Sequence, residues 1–495
     1  MSAKHYLAFD LGASGGRAVH GALDGGQLTL EEMHRFPNRM IPLLDHLHWD
    51  VLHLLEEIKH GLERYAQRYT APLESLGIDT WGVDFGLIGR DRTLLGLPYA
   101  YRDPQTAGMM EAAFERVSRE EIFEQTGIQF MPLNSLYQLL ALVQARSPLL
   151  DVAERLLMMP DLFNFFLTGE QICEFTDATT TQCYNPRTGA WAGSLLERLS
   201  IPTHIMPDIV PPGTVVGPLR GDVAEETRVG RVQVVAPACH DTGSAVAAVP
   251  AQGENWGYIS VGTWALMGVE SPTPIINAQS LAYNFTNEGG VGGIFRVLKN
   301  IAGLWLIQEC RRIWAREGEE LSYDDITRIA EQATPFVAFV DPDDEAFLNP
   351  SHMPEAIQSF CRRTGQTVPE TKGAVARCAI ESLALKCRYV LDRLVQLRGA
   401  PLSVLHIVGG GTQNTLLCQC IANATGLPVV AGPVEATAIG NILVLAMAGG
   451  ELNALEDIRK VVRRSFPLIM YEPQEIEAWN ETYEQFRAMI DGIDK

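Results

Sequence analysis

What the chain has little of narrows it first. None of its 495 residues falls in a run of about 18 uninterrupted apolar residues, the length a membrane-crossing helix needs. The opening Met-Ser-Ala-Lys-His-Tyr runs into a strand pattern without the apolar core of a secretion signal. Nine cysteines are present, but none in Cys-x-x-Cys spacing. Neither a zinc site nor a disulfide framework is therefore expected, and reduced thiols in a cytoplasmic protein fit better. Positive charge is short, with 39 Lys and Arg against 60 Asp and Glu and a formal net charge of −21. A surface this acidic repels nucleic acid and anionic lipid, so neither is an expected partner. It repels nucleotides at long range too, so any phosphate must be held by local backbone N–H groups, a metal ion and a few cations. There is no low-complexity tract and no Gly-x4-Gly-Lys-Ser/Thr phosphate loop.

What is there reads as an ordinary globular protein, 46% hydrophobic and 20% charged. Single cores stop growing near roughly 250–300 residues, so about two to four domains are expected. Residues 5–11 form an apolar strand pattern that meets Gly12-Ala13-Ser14-Gly15-Gly16, and a second strand follows from Arg17. Helical spacing over 50–68 puts Val51, Leu54, Leu55, Ile58, Leu62 and Tyr65 on one face. About 250 residues on, the strand-turn-strand pattern returns at 257–269 around Gly262-Thr263, which suggests a duplicated architecture with its boundary near 243–256. The spacing predicts a long helix over 373–398, ended by Arg398-Gly399, then a strand at 404–408, three glycines and a helix to Thr425.

Five segments could carry chemistry. In Asp10-Leu11-Gly12-Ala13-Ser14-Gly15-Gly16-Arg17, small residues let backbone N–H groups approach a phosphate; Arg17 adds charge and Asp10 could hold Mg²⁺. A plain glycine-rich hairpin explains that stretch equally well. Gly409-Gly410-Gly411, between strand and helix, suits a nucleotide or simply a tight turn. Asp241, in Cys239-His240-Asp241-Thr242, is placed either to take a proton from a hydroxyl or to cap a helix over 242–248. Trp81-Gly82 offers a flat face to a sugar ring, or a buried structural Trp. Residues 296–309 read as an apolar helix interrupted by Asn300 and Gln308. His46 and His48 share a strand face, but no third ligand is in view, so no metal is expected there.

The order of these segments, from about residue 5 to about residue 450, resembles the FGGY carbohydrate kinases. That resemblance implies an α/β, two-lobed, duplicated actin-like ATPase fold of ribonuclease H-like type. The lobes would be 1–245 and 246–495, with ATP in the cleft between them and the sugar held mainly by the first. Gly77–Phe85, Cys239–Thr242, Ser260–Gly268, Asn287–Gly290, Leu298–Ile301 and His406–Asn414 are similar to the branch of the family that phosphorylates L-rhamnulose. The Thr80–Asp84 loop is the most specific of these, and the Gln-Met-His-Gly loop of the xylulose kinases is absent. The resemblance implies ATP and Mg²⁺ as cofactors, a small ketose as partner, and L-rhamnulose 1-phosphate as product in L-rhamnose catabolism. Asp241 would be the base. Gly82, His240, Thr242 and Asn300 would contact the sugar, and Ala13, Ser14, Gly15, Gly16, Arg17, Thr263, Gln308 and Gly410 the nucleotide. Cysteines that form disulfides in some relatives are replaced by Ile421 and Thr425, and Asn423 stands where many relatives have Asp. Monomer and dimer both stay open. A kinase for L-fuculose, L-xylulose or glycerol is the nearest rival, because a pocket discriminates a single methyl group by only about 1–3 kcal/mol. An actin-like ATP-binding module that handles no sugar is the rival from another class, but it has no use for His240-Asp241 beside Trp81-Gly82.

Overall fold

A computed structural model describes residues 3–493. The first three strands, β1 (Lys4–Leu11), β2 (Gly15–Asp24) and β3 (Gln27–Pro37), form an antiparallel meander. Gly25 and Gly26 close its second turn at φ +56° and +79°, backbone that side chains other than glycine rarely adopt. Helix α1 (Val51–Arg68) starts where the Asp50 carboxylate accepts the His53 N–H, and it buries Val51, Leu54, Ile58, Leu62 and Tyr65. β4 (Leu73–Thr80) then lies parallel to β1. β5 (Thr214–Pro218) and β6 (Gln233–Ala236) complete a sheet in the order β5-β6-β4-β1-β2-β3. Leu7, Phe9, Leu11, Leu54, Ile58, Leu76, Ile78 and Val234 make the core between this sheet and α1. The excursion between β4 and β5 has its own core, around Phe123, Tyr137, Leu140 and Leu156.

The pattern recurs in β7 (Trp256–Val261) and β8 (Trp264–Ser271), an antiparallel hairpin. β9 (Val404–Val408) lies parallel to β7, β10 (Val429–Ala431) parallel to β9, and β11 (Ile469–Tyr471) antiparallel to β10. Both sheets therefore run hairpin, two parallel strands, antiparallel edge: β2-β1-β4-β6-β5 and β8-β7-β9-β10-β11. This is the duplication expected from the sequence. The long helix spans Lys372–Arg398, capped by Thr371 and by Gly399 at φ +73°.

The chain divides into two compact units that are not continuous halves. Unit 1 takes the chain up to Ala248, then Glu270–Val297 and Ala436–Ser465; unit 2 takes Val249–Val269, Leu298–Glu435 and the chain from Phe466. The helix Ala436–Ala448 returns to unit 1 because it is largely apolar and packs on helix α2 (Asp241–Ala247). A Cβ at Gly440 would sit 1.8 Å from the Ser244 carbonyl oxygen, so only glycine admits this approach.

One expected element is different. Residues 296–309 are a strand, Phe295–Ala302, followed by a helix, Trp305–Arg316. Gly303 separates them. A Cβ there would lie 2.5 Å from the Trp264 carbonyl carbon, and the Gly303 N–H donates to the Thr263 carbonyl at 3.0 Å. Docking of that turn onto the β7-β8 hairpin outweighs the helical periodicity. Among the described residues no helix is long and apolar enough to cross a membrane, and all nine cysteines are buried and unpaired.

Candidate active site

In unit 1 the register of three strands gathers the charge. Asp10 faces Arg17 across the β1-β2 hairpin and Asp79 across the parallel β1-β4 pair. Arg17 donates to one Asp10 carboxylate oxygen from Nε at 3.0 Å and from Nη2 at 2.8 Å. The turn itself, through Ala13, Ser14, Gly15 and Gly16, is closed by the Gly12 N–H on the Gly15 carbonyl at 2.9 Å. Asp79 is fully buried. Burial, together with the charges of Asp10 and Asp241, pushes its carboxyl well above the usual range, against a 2.6 Å hydrogen bond from Asn441.

The segment before α2 is held along the end of β4. The Thr80 N–H donates to the Cys239 carbonyl at 2.8 Å, and Thr80 and His240 form a parallel bridge. That pairing brings His240-Asp241 beside Trp81-Gly82, although 160 residues separate them in sequence. Glu174 reinforces it by accepting the Cys239 N–H at 3.0 Å, and the Thr176 hydroxyl accepts the His240 N–H at 3.0 Å. Asp241 is the first residue of α2 and not its cap. His240 holds the cap position without a side-chain bond, and the Asp241 carboxylate accepts the N–H and hydroxyl of its neighbour Thr242. The helical start lies one residue earlier than expected, so the carboxylate is released from capping α2. Asp241 keeps 31% of its side chain exposed. Desolvation and the charge of Asp10 push its carboxyl up, while His240 and Thr242 oppose the shift.

His240 is held from behind. Its Nδ1 lies 3.2 Å from Arg296 Nη2 and 3.3 Å from Glu288 Oε2, and its Nε2 lies 3.5 Å from Asp241. Arg296 is fully buried and pairs with Glu288 at 3.2 Å. Burial alone would raise the Glu288 carboxyl, but the His240 hydrogen bond and the Arg296 charge hold it below its ordinary value. The ring is thereby fixed with its Nε2 edge towards Asp241.

Trp81 takes the structural alternative. Trp81 is buried against Trp49, ring centres 4.2 Å apart, and donates to Asp84 at 2.9 Å. Asp84 also accepts from Trp49 at 2.6 Å, Gln138 at 2.8 Å and the Tyr101 N–H at 3.0 Å. Burial pushes its carboxyl up to about 7 against those four donors. The close approach that Gly82 permits is to Thr180, which a Cβ would meet at 2.9 Å.

In unit 2 the Thr263 hydroxyl donates to the Gln308 side-chain oxygen at 3.0 Å, which joins the β7-β8 turn to the helix Trp305–Arg316. Gly409 adopts φ +86°, and Gly410–Gln413 form a single 3-10 turn. A Cβ on Gly411 would lie 2.4 Å from Val261, whereas one on Gly410 would meet nothing within 4 Å. Open space therefore adjoins Gly410. Asn300 lies half-buried on the strand Phe295–Ala302. Its neighbour Lys299 is partly buried, and desolvation pushes its amine down to about 8.

Unit 1 thus gathers Asp10, the turn to Arg17, Gly82, His240, Asp241 and Thr242. Thr263, Asn300, Gln308 and Gly410 belong to unit 2. Sequence reading missed Asp79, Glu174, Glu288, Arg296 and Asn441. Glu288 and Arg296 lay within segments already singled out, but Glu174 and Asn441 carry no local signal.

Two family models match, the N-terminal domain of the FGGY family of carbohydrate kinases over residues 5–249 and its C-terminal domain over 257–449. The chain belongs to that family. It is 46% identical to a rhamnulokinase of Bacteroides thetaiotaomicron, covering 98% of this chain and 99% of that one. It is 43% identical to a rhamnulokinase of Oceanobacillus iheyensis, covering 94% and 97%. Among solved structures it superimposes on a gluconate kinase (TM-score 0.82, 16% identity, 99% and 98% coverage) and a ligand-bound xylulose kinase (0.83, 15%, 99% and 98%), both from Lactobacillus acidophilus. The fold is thus the two-domain α/β fold of these kinases.

Proposed function

We propose that this chain moves the γ-phosphoryl group of ATP onto the 1-hydroxyl of L-rhamnulose, giving ADP and L-rhamnulose 1-phosphate, with Asp241 as general base. The near-full-length identity to rhamnulokinases carries the choice of substrate. Phosphoryl transfer needs positioning and charge stabilisation more than covalent chemistry. Unit 1 supplies the base. Asp241 is partly exposed, its carboxyl is raised by desolvation, and a stronger carboxylate base takes a hydroxyl proton more readily. His240, fixed by Glu288 and Arg296, turns an imidazole edge towards Asp241 and can hydrogen-bond a sugar hydroxyl beside Thr242 and Gly82. The family resemblance adds Asn300 as a sugar contact.

The phosphates are assigned to the glycine-rich turn from Ala13 to Arg17 and to Thr263 and Gln308, with Gly410 leaving room for the nucleotide. Mg²⁺ suits Asp10 and its surroundings. The donor set is carboxylate oxygen only, and Asp79 Oδ1 is buried without a hydrogen-bond partner. A cation held there would offset part of the negative charge that Asp10, Asp79 and Asp241 place together. The buried thiols suit a reducing cytoplasm, where we place the protein.

The test is ADP release by the purified protein with ATP and Mg²⁺ across a panel of ketoses and polyols. L-Rhamnulose should stimulate most. If L-fuculose, L-xylulose or glycerol does better, the substrate is wrong; if nothing in the panel stimulates, the kinase reading fails.

A further inference from the structure

Away from the carboxylate cluster of unit 1, four side chains of a different chemistry converge. On α1, His53, Glu57 and His60 are spaced i, i+4, i+7, which sets them on one helix face. His34 reaches the same point from β3, where its Nε2 hydrogen-bonds the Glu57 carboxylate. His53 Nδ1 lies 3.7 Å from one Glu57 oxygen and His60 Nδ1 lies 3.7 Å from the other. One ligand atom each from His34, Glu57 and His60 falls within 4.8 Å of the others. The His34 and His60 rings meet edge-on, centres 6.2 Å apart.

We propose that His34, Glu57 and His60, with His53 at the rim, form a binding site for a transition-metal ion of the Zn²⁺ type, which staples β3 to α1. Two imidazoles and a carboxylate on three converging side chains are the ligand set of zinc, cobalt and nickel, and leave a fourth position for His53 or water. Mg²⁺ prefers an all-oxygen shell, so the site is chemically distinct from the one assigned to the ATP-bound metal. Burial is graded as a surface site requires. The His34 and Glu57 side chains are 12% and 17% exposed, and His60 is 51% exposed and free to swing inward. The His34–Glu57 hydrogen bond marks the place of the ion. A metal would bind the Nε2 lone pair and the carboxylate oxygen, and the proton they share would leave to solvent.

The staple has a defined mechanical address. His34 is the register partner of Ala18, next to Arg17, so the tie anchors the strand beside the phosphate turn to the helix behind it. The cysteines are all buried, which removes thiols as competitors for added metal.

The experiment uses metal-stripped full-length protein, titrated with Zn²⁺ against a chromophoric chelator with millimolar Mg²⁺ present. One ion per chain should bind at micromolar affinity or better. His34→Gln and His60→Gln should each weaken it at least about tenfold, while Lys59→Gln on the same helix leaves it unchanged. Co²⁺ should give a visible d–d absorption that His60→Gln abolishes. Zn²⁺ should raise the thermal midpoint of the native protein, and not that of His60→Gln. His60 is half-exposed, so its variant folds and keeps ketose-kinase turnover. Failure of the kinase assay would leave this titration untouched. Identical Zn²⁺ titrations for the native protein and the two His variants, or no binding at micromolar metal, would overturn the site.

Discussion

At the turn of the first hairpin, β1 and β2 set Asp10 against Arg17, with Asp79 one strand further on. At the turn of the second, the Thr263 hydroxyl meets the Gln308 amide, and neither partner is charged. The strand order around the two turns is the same, so the backbone does not explain the difference. The load does. In unit 1, desolvation and neighbouring negative charge raise the Asp79 and Asp241 carboxyls. Unit 2 has neutral donors and glycines at the matching place, groups that do not compete for a proton. On the proposed function, the duplicated scaffold confines the proton and metal chemistry to unit 1.

Asp241→Asn should break this division most sharply. Turnover should fall at least about 10²-fold with ATP affinity nearly unchanged. Thr263→Ala should act the other way, raising KM for ATP more than it lowers kcat. Steady-state kinetics on both variants decides, and equal turnover in Asp241→Asn would remove that residue from the mechanism.

Arg296→Met tests the support behind His240. Removing one partner of a buried ion pair costs about 3–5 kcal/mol, so the urea midpoint should drop well below that of the native protein. An unchanged midpoint would mean that Glu288 finds another partner. In unit 2, Gly411→Ala forces a Cβ against Val261 and should cost about 1–3 kcal/mol by overpacking.

One pH dependence comes from Asp84 in unit 1. Burial raises the Asp84 carboxyl from 3.8 to about 7, so between those values the folded state holds a proton that the unfolded state has lost. Its contribution to stability therefore falls as pH rises from about 4 to about 7, by at most about 1.4 kcal/mol per pH unit. Asp84→Asn should flatten that slope in denaturant titrations at a series of pH values; parallel curves would show that Asp84 is already ionised in the fold. Gly410→Ala should have the smallest effect of all, with stability within about 0.5 kcal/mol of the native protein. KM for ATP should rise, because the new methyl enters open space.

Much of this was legible. The first hairpin, the α1 face, the helix ending at Arg398-Gly399 and the second hairpin all follow from period and turn residues, because local pattern and tertiary packing agree there. Residues 296–309 misled because the apolar spacing continues through Gly303, and only the contact with Trp264 shows why the chain breaks there. Asp241 was placed one residue outside its helix, within the usual uncertainty of helix ends. Nothing local marks Asn441 as the partner of Asp79, or Glu174 as the brace of Cys239. Those are long-range choices, and a single sequence leaves them silent.

The discontinuity of unit 1 bears on how the protein is made. The Asn441 amide that satisfies Asp79, and the glycine that lets its helix lie on α2, are synthesised some 360 residues after the strand they complete. A ribosome-bound chain that has emerged only through Ala248 therefore carries a buried-type carboxylate and an uncovered apolar face on β1 and β4. Residues 1–248 expressed alone carry the same exposed surface. The N-terminal part of the gene thus encodes Asp10, Asp79 and Asp241 but not a finished unit, because the helix Ala436–Ala448 that packs on β1 and β4 comes near the end of the chain.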